Sequence, residues 1–336
     1  MKLKIDKIDR FGDLQFNISE ELMDQNGFSY GDILTIRHNN STKQMPYCRY
    51  ITDVLPGQSV LCFEANMLSI CILNGNYASE YGIAEYHINE KQETEWSISN
   101  DDHIEIELYE KKGYANTLKY FNFTRSNNRE DYESDEVFAN FREVIPNALY
   151  RSSSPINTII NRSETADKLI GKYNIKTIIN LCDSDIKIEK MLKSNTNYER
   201  IYKDNRVLAL NMNSDFKSKI FQMQIASAFK EILKYEKPFL IHCTDGKDRT
   251  GFVILIIMAL CGYSKEEIIH EYLKTYCNYY HISENDEKYE YLKENALKYF
   301  FDCLNVKSDI RDAVISYLIQ GKMTEDDIQK LINLFM

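Results

Sequence analysis

Hydrophobic and polar positions follow two different rhythms along this chain. In residues 1–112 the apolar positions come in short runs, at 14–18, 33–37, 59–63, 68–73 and 104–109. Between them lie turn signals: Tyr30-Gly31-Asp32, Pro56-Gly57 and Asn74-Gly75-Asn76. Short apolar runs punctuated by glycine, proline and asparagine predict strands, and strands of this length predict a small barrel or sandwich. Residues 113–135 are polar, with Ser126-Asn127-Asn128-Arg129-Glu130-Asp131 in the middle, and read as a linker or wrapping arm.

From 136 onward β-branched apolar runs recur at 176–181, 206–212 and 239–243. Between the last two, Ile220, Met223, Ile225, Ala228, Phe229, Ile232 and Leu233 fall at helical spacing and predict a helix over 217–235 with those residues inward. After Cys243 the pattern is helical to the end, with Ser283, Ser308 and Thr324 as candidate N-caps. Strands alternating with helices predict an α/β domain over 136–336 with a largely parallel central sheet flanked by helices, behind the β-barrel-like domain of 1–112.

Composition adds limits. The 336 residues carry a net charge of −10. A surface of that sign repels nucleic acid and anionic membranes unless charge is locally segregated, so no nucleic-acid partner is expected and an anionic substrate needs a local basic site. The eight cysteines include no C-x-x-C pair, and no apolar leader opens the chain. The longest apolar run, 252–261, is too short for a bilayer. A cytoplasmic protein with free thiols, without stable membrane insertion, is the expectation.

The candidate chemistry sits at His242-Cys243-Thr244-Asp245-Gly246-Lys247-Asp248-Arg249-Thr250-Gly251. A buried strand runs into a short loop and then a long apolar helix. A loop closing onto a helix start aims backbone N–H groups inward, and the helix dipole adds positive potential. Thr244 to Arg249 would make this phosphate cradle. Arg249 can grip two phosphate oxygens in the first helical turn. Cys243 faces the same donors, which stabilise its thiolate as a nucleophile. Gly246 lets the backbone come close. Thr250 either donates its hydroxyl to the departing thiolate or bonds only locally. His242 reads as an orienting residue rather than a base. No metal and no cofactor are called for.

This decapeptide resembles the phosphate loop of the protein tyrosine phosphatase superfamily, in particular its bacterial tyrosine and dual-specificity branch, and also phosphoinositide phosphatases of the myotubularin kind. Residues 138–142, 149–153, 177–181 and 271–276 are similar to segments of the bacterial family, so the resemblance covers 136–336. It implies a cysteinyl-phosphate mechanism acting on a phosphorylated protein, with a phosphoinositide or inositol phosphate as the alternative substrate. A phosphoprotein-binding pseudophosphatase and a sulfur-transfer domain are the readings of other classes. The resemblance implies Asp248 as general acid, with Asp215 second, since its loop is placed like the mobile acid loop of other tyrosine phosphatases, and Asp245 third. Lys247 would add charge for a second substrate phosphate. Arg151 would shape the pocket or form a structural ion pair. The family's Asp-Leu-Arg is replaced here by Asn180-Leu181-Cys182, and Cys182 reads as structural and remote from the phosphate.

Residues 9–18, 30–33 and 72–79 resemble the C-terminal barrel of S-adenosylmethionine hydroxide adenosyltransferases. The partner domain of those enzymes is not visible, so a structural or partner-binding β-domain is expected.

Overall fold

The computed structural model describes residues 1–39, 41–64, 66–88, 94–98 and 102–336. They form two units, Met1–Phe123 and Thr124–Met336.

In the first unit, two antiparallel four-stranded sheets face each other. One runs Lys2–Lys4, His103–Glu110, Ile33–His38, Ser41–Pro46; the other runs Lys7–Ile8, Leu14–Phe16, Met67–Ile72, Ser59–Glu64. Alternation along each strand sends Leu3, Leu34, Ile36, Ile104 and Ile106 from one sheet, and Leu14, Phe16, Leu61, Leu68 and Ile70 from the other, into one core. A bridge between Tyr47 and Leu61 joins the two sheets along one side, so the arrangement is barrel-like. The five apolar runs all became strands.

The second unit holds a five-stranded sheet in the order Arg142–Ile145, Leu149–Ser152, Phe239–His242, Thr177–Asn180, Val207–Ala209. The last four are parallel, and Arg142–Ile145 is an antiparallel edge. The three inner strands are buried along their whole length, as a sheet covered on both faces requires. Successive residues of the central strand serve opposite faces. Leu240 joins Leu169, Ile170, Tyr198 and Ile201 on one side, while Phe239 meets Phe335 of the C-terminal helix at a ring distance of 5.6 Å. Parallel strands end at a common edge, where open α/β sheets place their sites. Ser152, Asn180 and His242 stand in register there.

Three expectations change. The helix Lys219–Ile232 buries Ile225, Ala228, Phe229 and Ile232 as expected, but turns Ile220 and Met223 to solvent at 47% and 46% exposure and buries Phe221, Gln222 and Ala226 in its first two turns instead. Asp286 and Asp309, not Ser283 and Ser308, cap their helices; each sits immediately before the first helical turn, where its carboxylate reaches the free amides. Thr324 does cap its helix, with Asp327 completing the box. Finally, 113–135 is no single linker: Ala115–Leu118 is helical, and the unit boundary falls after Phe123. Among the described residues no helix is long and apolar enough to cross a membrane.

Candidate active site

The strand Phe239–His242 delivers Cys243 to the sheet edge, and the helix Asp248–Leu260 leaves from Lys247. That helix is apolar all round and buried from Thr250 to Leu260, which fixes the loop between two immobile elements. Two glycines permit the fit. Gly246 has φ +63°, and a Cβ there would stand 2.0 Å from the Ser152 carbonyl oxygen; a Cβ on Gly251 would enter the Tyr272 ring at 2.6 Å.

The loop carbonyls all have partners on its outer side. Thr244 O accepts from the Ser154 amide at 3.0 Å, and Asp245 O from the Tyr279 hydroxyl at 2.5 Å. Gly246 O accepts from Arg151 and Asn140, and Lys247 O from Arg151. In a trans peptide the N–H points opposite to the C=O. Each following amide, of Asp245, Gly246, Lys247 and Asp248, is thus set opposite to a carbonyl already taken, and such amides are the donors an anion cradle needs.

Arg151 is fully buried. It spans from the loop carbonyls to Glu271 at 2.6 Å, while Arg142, its cross-strand partner, holds the other Glu271 oxygen at 2.7 Å. Burial works to raise the Glu271 carboxyl, but Arg142 and Arg151 outweigh it and hold the group below its ordinary range. The two readings of Arg151 merge: it shapes the loop through an ion pair.

Arg249 lies over the loop. It donates to the Met212 carbonyl at 3.1 Å and the Thr244 hydroxyl at 3.4 Å, both neutral oxygens, so these contacts orient its fork and leave its charge for an anion. Thr250 is buried in the same helical turn, and among the described residues its hydroxyl has no hydrogen-bond partner. A local hydrogen bond thus does not account for it.

His242 directs Nδ1 to the Cys243 carbonyl at 3.2 Å, and its ring stands edge-on to Tyr198. Burial pushes the imidazole down to about 4, with Arg249 acting in the same direction against Asp183 and the Cys243 carbonyl. The unfolded histidine binds its proton near ~6.5, the folded one only near 4, so between these values the unfolded state holds more protons. Stability is then full above ~6.5 and falls on acidification towards 4, by about 3 kcal/mol from this group. His242→Asn keeps a donor but cannot titrate; its urea-unfolding free energy should lose this acid-side slope. A pH profile parallel to the wild type would contradict the assignment.

The three candidate acids have different surroundings. Asp248 opens the helix beside Arg249; its Oδ1 accepts from the buried Tyr272 hydroxyl at 2.7 Å, and Oδ2 lies 3.6 Å from the Lys247 ammonium. Asp245 is half exposed, and its carboxylate takes a hydrogen bond from Arg125 at 2.8 Å. Asp215 lies in the loop between Val207–Ala209 and Lys219–Ile232, where its charge acts on Cys303 and Tyr317 of the C-terminal helices. Lys247 is buried, with Nζ 5.2 Å from the Tyr276 ring centre. Burial disfavours its charge, but Asp248, then Tyr276, Tyr280 and Asp245, hold the ammonium well above its ordinary range.

Cys182 is not remote from the loop. Its thiol reaches Asp183 at 3.0 Å, and the charges of Arg249 and Cys243 act on it; burial pushes it far up, keeping it protonated. Arg142, Asn140, Glu271 and Arg125 escaped the sequence reading, and Tyr279, one of three tyrosines that could line the substrate mouth, reads there as a helix-packing residue. Arg125, Asn140 and Arg142 lie about a hundred residues before the loop, Tyr279 joins it through the Asp245 carbonyl and Glu271 through Arg151, and nothing in their local spacing marks them, although Asn140, Arg142 and Glu271 fall in segments noted for resemblance.

Residues 130–333 match the tyrosine phosphatase family, and residues 3–88 match the SAM hydroxide adenosyltransferase C-terminal domain. A Cupriavidus necator protein provisionally named a tyrosine-protein phosphatase is 46% identical over 39 residues, 12% of this chain and 14% of its own length. The triple specificity protein phosphatase PtpB of Mycobacterium tuberculosis is 39% identical over 44 residues, 13% of this chain and 16% of its own length. The matches therefore span only about one-seventh of those relatives. Among solved structures, the core catalytic domain of the PP-IP phosphatase Siw14 from S. cerevisiae, in complex with citrate, is 22% identical, with a TM-score of 0.30 over 49% of this chain and 93% of that one.

Proposed function

The chain belongs to the tyrosine phosphatase family, and on that premise we propose that it hydrolyses phosphate monoesters through a cysteinyl-phosphate intermediate on Cys243, with phosphotyrosine or dual-specificity protein substrates. The observation that carries the reading is that every carbonyl from Thr244 to Lys247 is taken by a donor, which supports a loop whose amides remain for a bound anion.

In the first step the Cys243 thiolate attacks phosphorus, an S–P bond forms, and the bond to the ester oxygen breaks. Asp248 gives that oxygen its proton, so an alcohol or phenol leaves. The loop amides and Arg249 hold the three equatorial oxygens as charge spreads over them. In the second step Asp248, now a carboxylate, takes a proton from water. The water oxygen bonds to phosphorus, the S–P bond breaks, and inorganic phosphate departs. The unpartnered Thr250 hydroxyl is the donor available to the returning thiolate. No metal or cofactor enters this scheme.

An inositol phosphate or phosphoinositide substrate is the second reading. It is favoured by the cations that surround the loop beyond Arg249, namely Lys247 and Arg125.

Turnover of a phosphotyrosine peptide, a phosphoserine peptide, an inositol phosphate and a phosphoinositide by the full chain tests both. Release of phosphate from the phosphotyrosine peptide, with a phosphorylated cysteine recovered on rapid acid quench, is the expected result. Tight binding of the peptide without release from any substrate would replace catalysis with phosphoprotein binding.

A further inference from the structure

Resting on that reading, we propose that Arg125 is a specificity-determining residue, a rim cation that binds a second phosphate on a substrate whose first phosphate lies over Cys243. The segment that carries it meets the phosphate loop at Asp245. Arg125 Nη1 donates to the Asp245 carboxylate at 2.8 Å, and its guanidinium lies 5.2 Å from the Tyr279 ring centre, whose hydroxyl in turn holds the Asp245 carbonyl. Arg125 is thereby fixed to the loop itself. The next residues, Ser126 and Asn127, hold a second guanidinium, Arg162.

The charges at this rim do not balance. Arg162 is completely buried against Tyr132, Phe138 and Tyr279, and among the described residues it donates to neutral oxygens of Ser126, Asn127, Tyr132 and Ile160 and its Nε has no partner. Asp245 is the carboxylate that acts electrostatically on both arginines. Two guanidinium groups with one carboxylate between them leave a positive charge beside the loop, and a buried cation without a counter-charge is costly unless an anion supplies it. The Asp245 side chain is 41% exposed and that of Arg125 26% exposed, so this pair is the part of the cluster an arriving ligand can reach. A phosphate, with more charge and more acceptor oxygens than a carboxylate, competes for the Arg125 fork. A substrate with one phosphate occupies the cradle and leaves the rim pair intact.

Arg125 lies five residues before the stretch that matches the family, and its partner Asp245 lies within it. The chemistry recognised is a pair of neighbouring phosphates on a polyol ring, as in a free inositol bisphosphate or the headgroup of a phosphoinositide bisphosphate.

The test compares wild type, Arg125→Gln and Arg125→Lys as full chains. The substrates are para-nitrophenyl phosphate, a free inositol bisphosphate, and phosphatidylcholine vesicles carrying a phosphatidylinositol bisphosphate. Arg125→Gln should lower kcat/KM for a bisphosphate about tenfold or more, mainly through KM, while para-nitrophenyl phosphate changes less than about twofold. Arg125→Lys should recover part of the loss. The arm that discriminates identifies the source as the free ring or the lipid headgroup. Equal losses on single and double phosphates, or no loss on either, would overturn the proposal. Binding of the bisphosphate to Cys243→Ser, with and without Arg125→Gln, reads the same contact without turnover. A wild type inert towards all three substrates defeats the phosphatase reading itself; an active wild type with an unmoved ratio defeats this inference alone.

Discussion

Cys243→Ser should reduce phosphate release by at least about 10³-fold on every substrate the chain accepts, the scale seen when a covalent nucleophile is removed and binding remains. A serine hydroxyl stays protonated at neutral pH and needs a base. The nearest imidazole cannot serve, because His242 spends Nδ1 on the Cys243 carbonyl and is held neutral in a buried pocket beside Tyr198. The cradle survives the change. Its amides are turned by contacts from Ser154, Tyr279, Arg151 and Asn140 to loop carbonyls, and Arg249 is oriented by Met212 and Thr244; none of these involves the sulfur. Binding of inorganic phosphate should therefore stay within a few-fold of wild type. Calorimetric titration alongside steady-state turnover separates the two effects. A variant with near-normal turnover would remove the covalent route, and one that loses phosphate binding as well would show that the sulfur, not the amides, builds the cradle.

The loop was legible because its chemistry is local. Cys243, Gly246, Arg249 and Thr250 lie within eight consecutive residues, and strand and helix patterns flank them on both sides. Two of the three inner strands, Thr177–Asn180 and Phe239–His242, were legible for the same reason, since burial on both faces favours an unbroken apolar run; the third, Leu149–Ser152, carries Arg151 and Ser152 and shows no such run. What holds the loop was not legible. Arg142, Arg151 and Glu271 form one ion-paired unit only because the antiparallel strand pair sets Arg142 opposite Arg151 and the helix Lys265–Tyr280 returns over both. Register and helix docking of that kind leave no trace in spacing. The helix Lys219–Ile232 shows the opposite failure. Its periodicity was visible, yet the buried face includes Gln222, whose side chain donates to the Tyr317 carbonyl, an inward polar residue that a pattern drawn on apolar positions passes over.

Asp248→Asn should lower kcat by about 10²–10⁴-fold on substrates whose leaving group needs a proton, with little change in KM. Asp248 stands in the first helical turn, next to the residue that grips the phosphate, so its carboxyl moves with the cradle and not on a separate loop. The Tyr272 hydroxyl on Oδ1 fixes the side chain's rotamer, and Lys247 at 3.6 Å meets Oδ2. Asparagine keeps the Tyr272 contact through its one oxygen, loses the attraction to Lys247, and can neither give nor take the proton. Leaving-group dependence makes the test specific: aryl esters with acidic phenols, which depart without help, should lose far less than alkyl phosphates. Asp215→Asn is the competing variant. Its carboxylate acts on Cys303 and Tyr317, on helices behind the sheet edge, and its loop meets the site through the Met212 carbonyl, so its loss should be several-fold at most while that loop stays open. If the loop closes over bound substrate and brings Asp215 to the ester oxygen, the order reverses: Asp215→Asn becomes the more damaging change and the one sensitive to the leaving group, and Asp248 is left as an anchor for Tyr272.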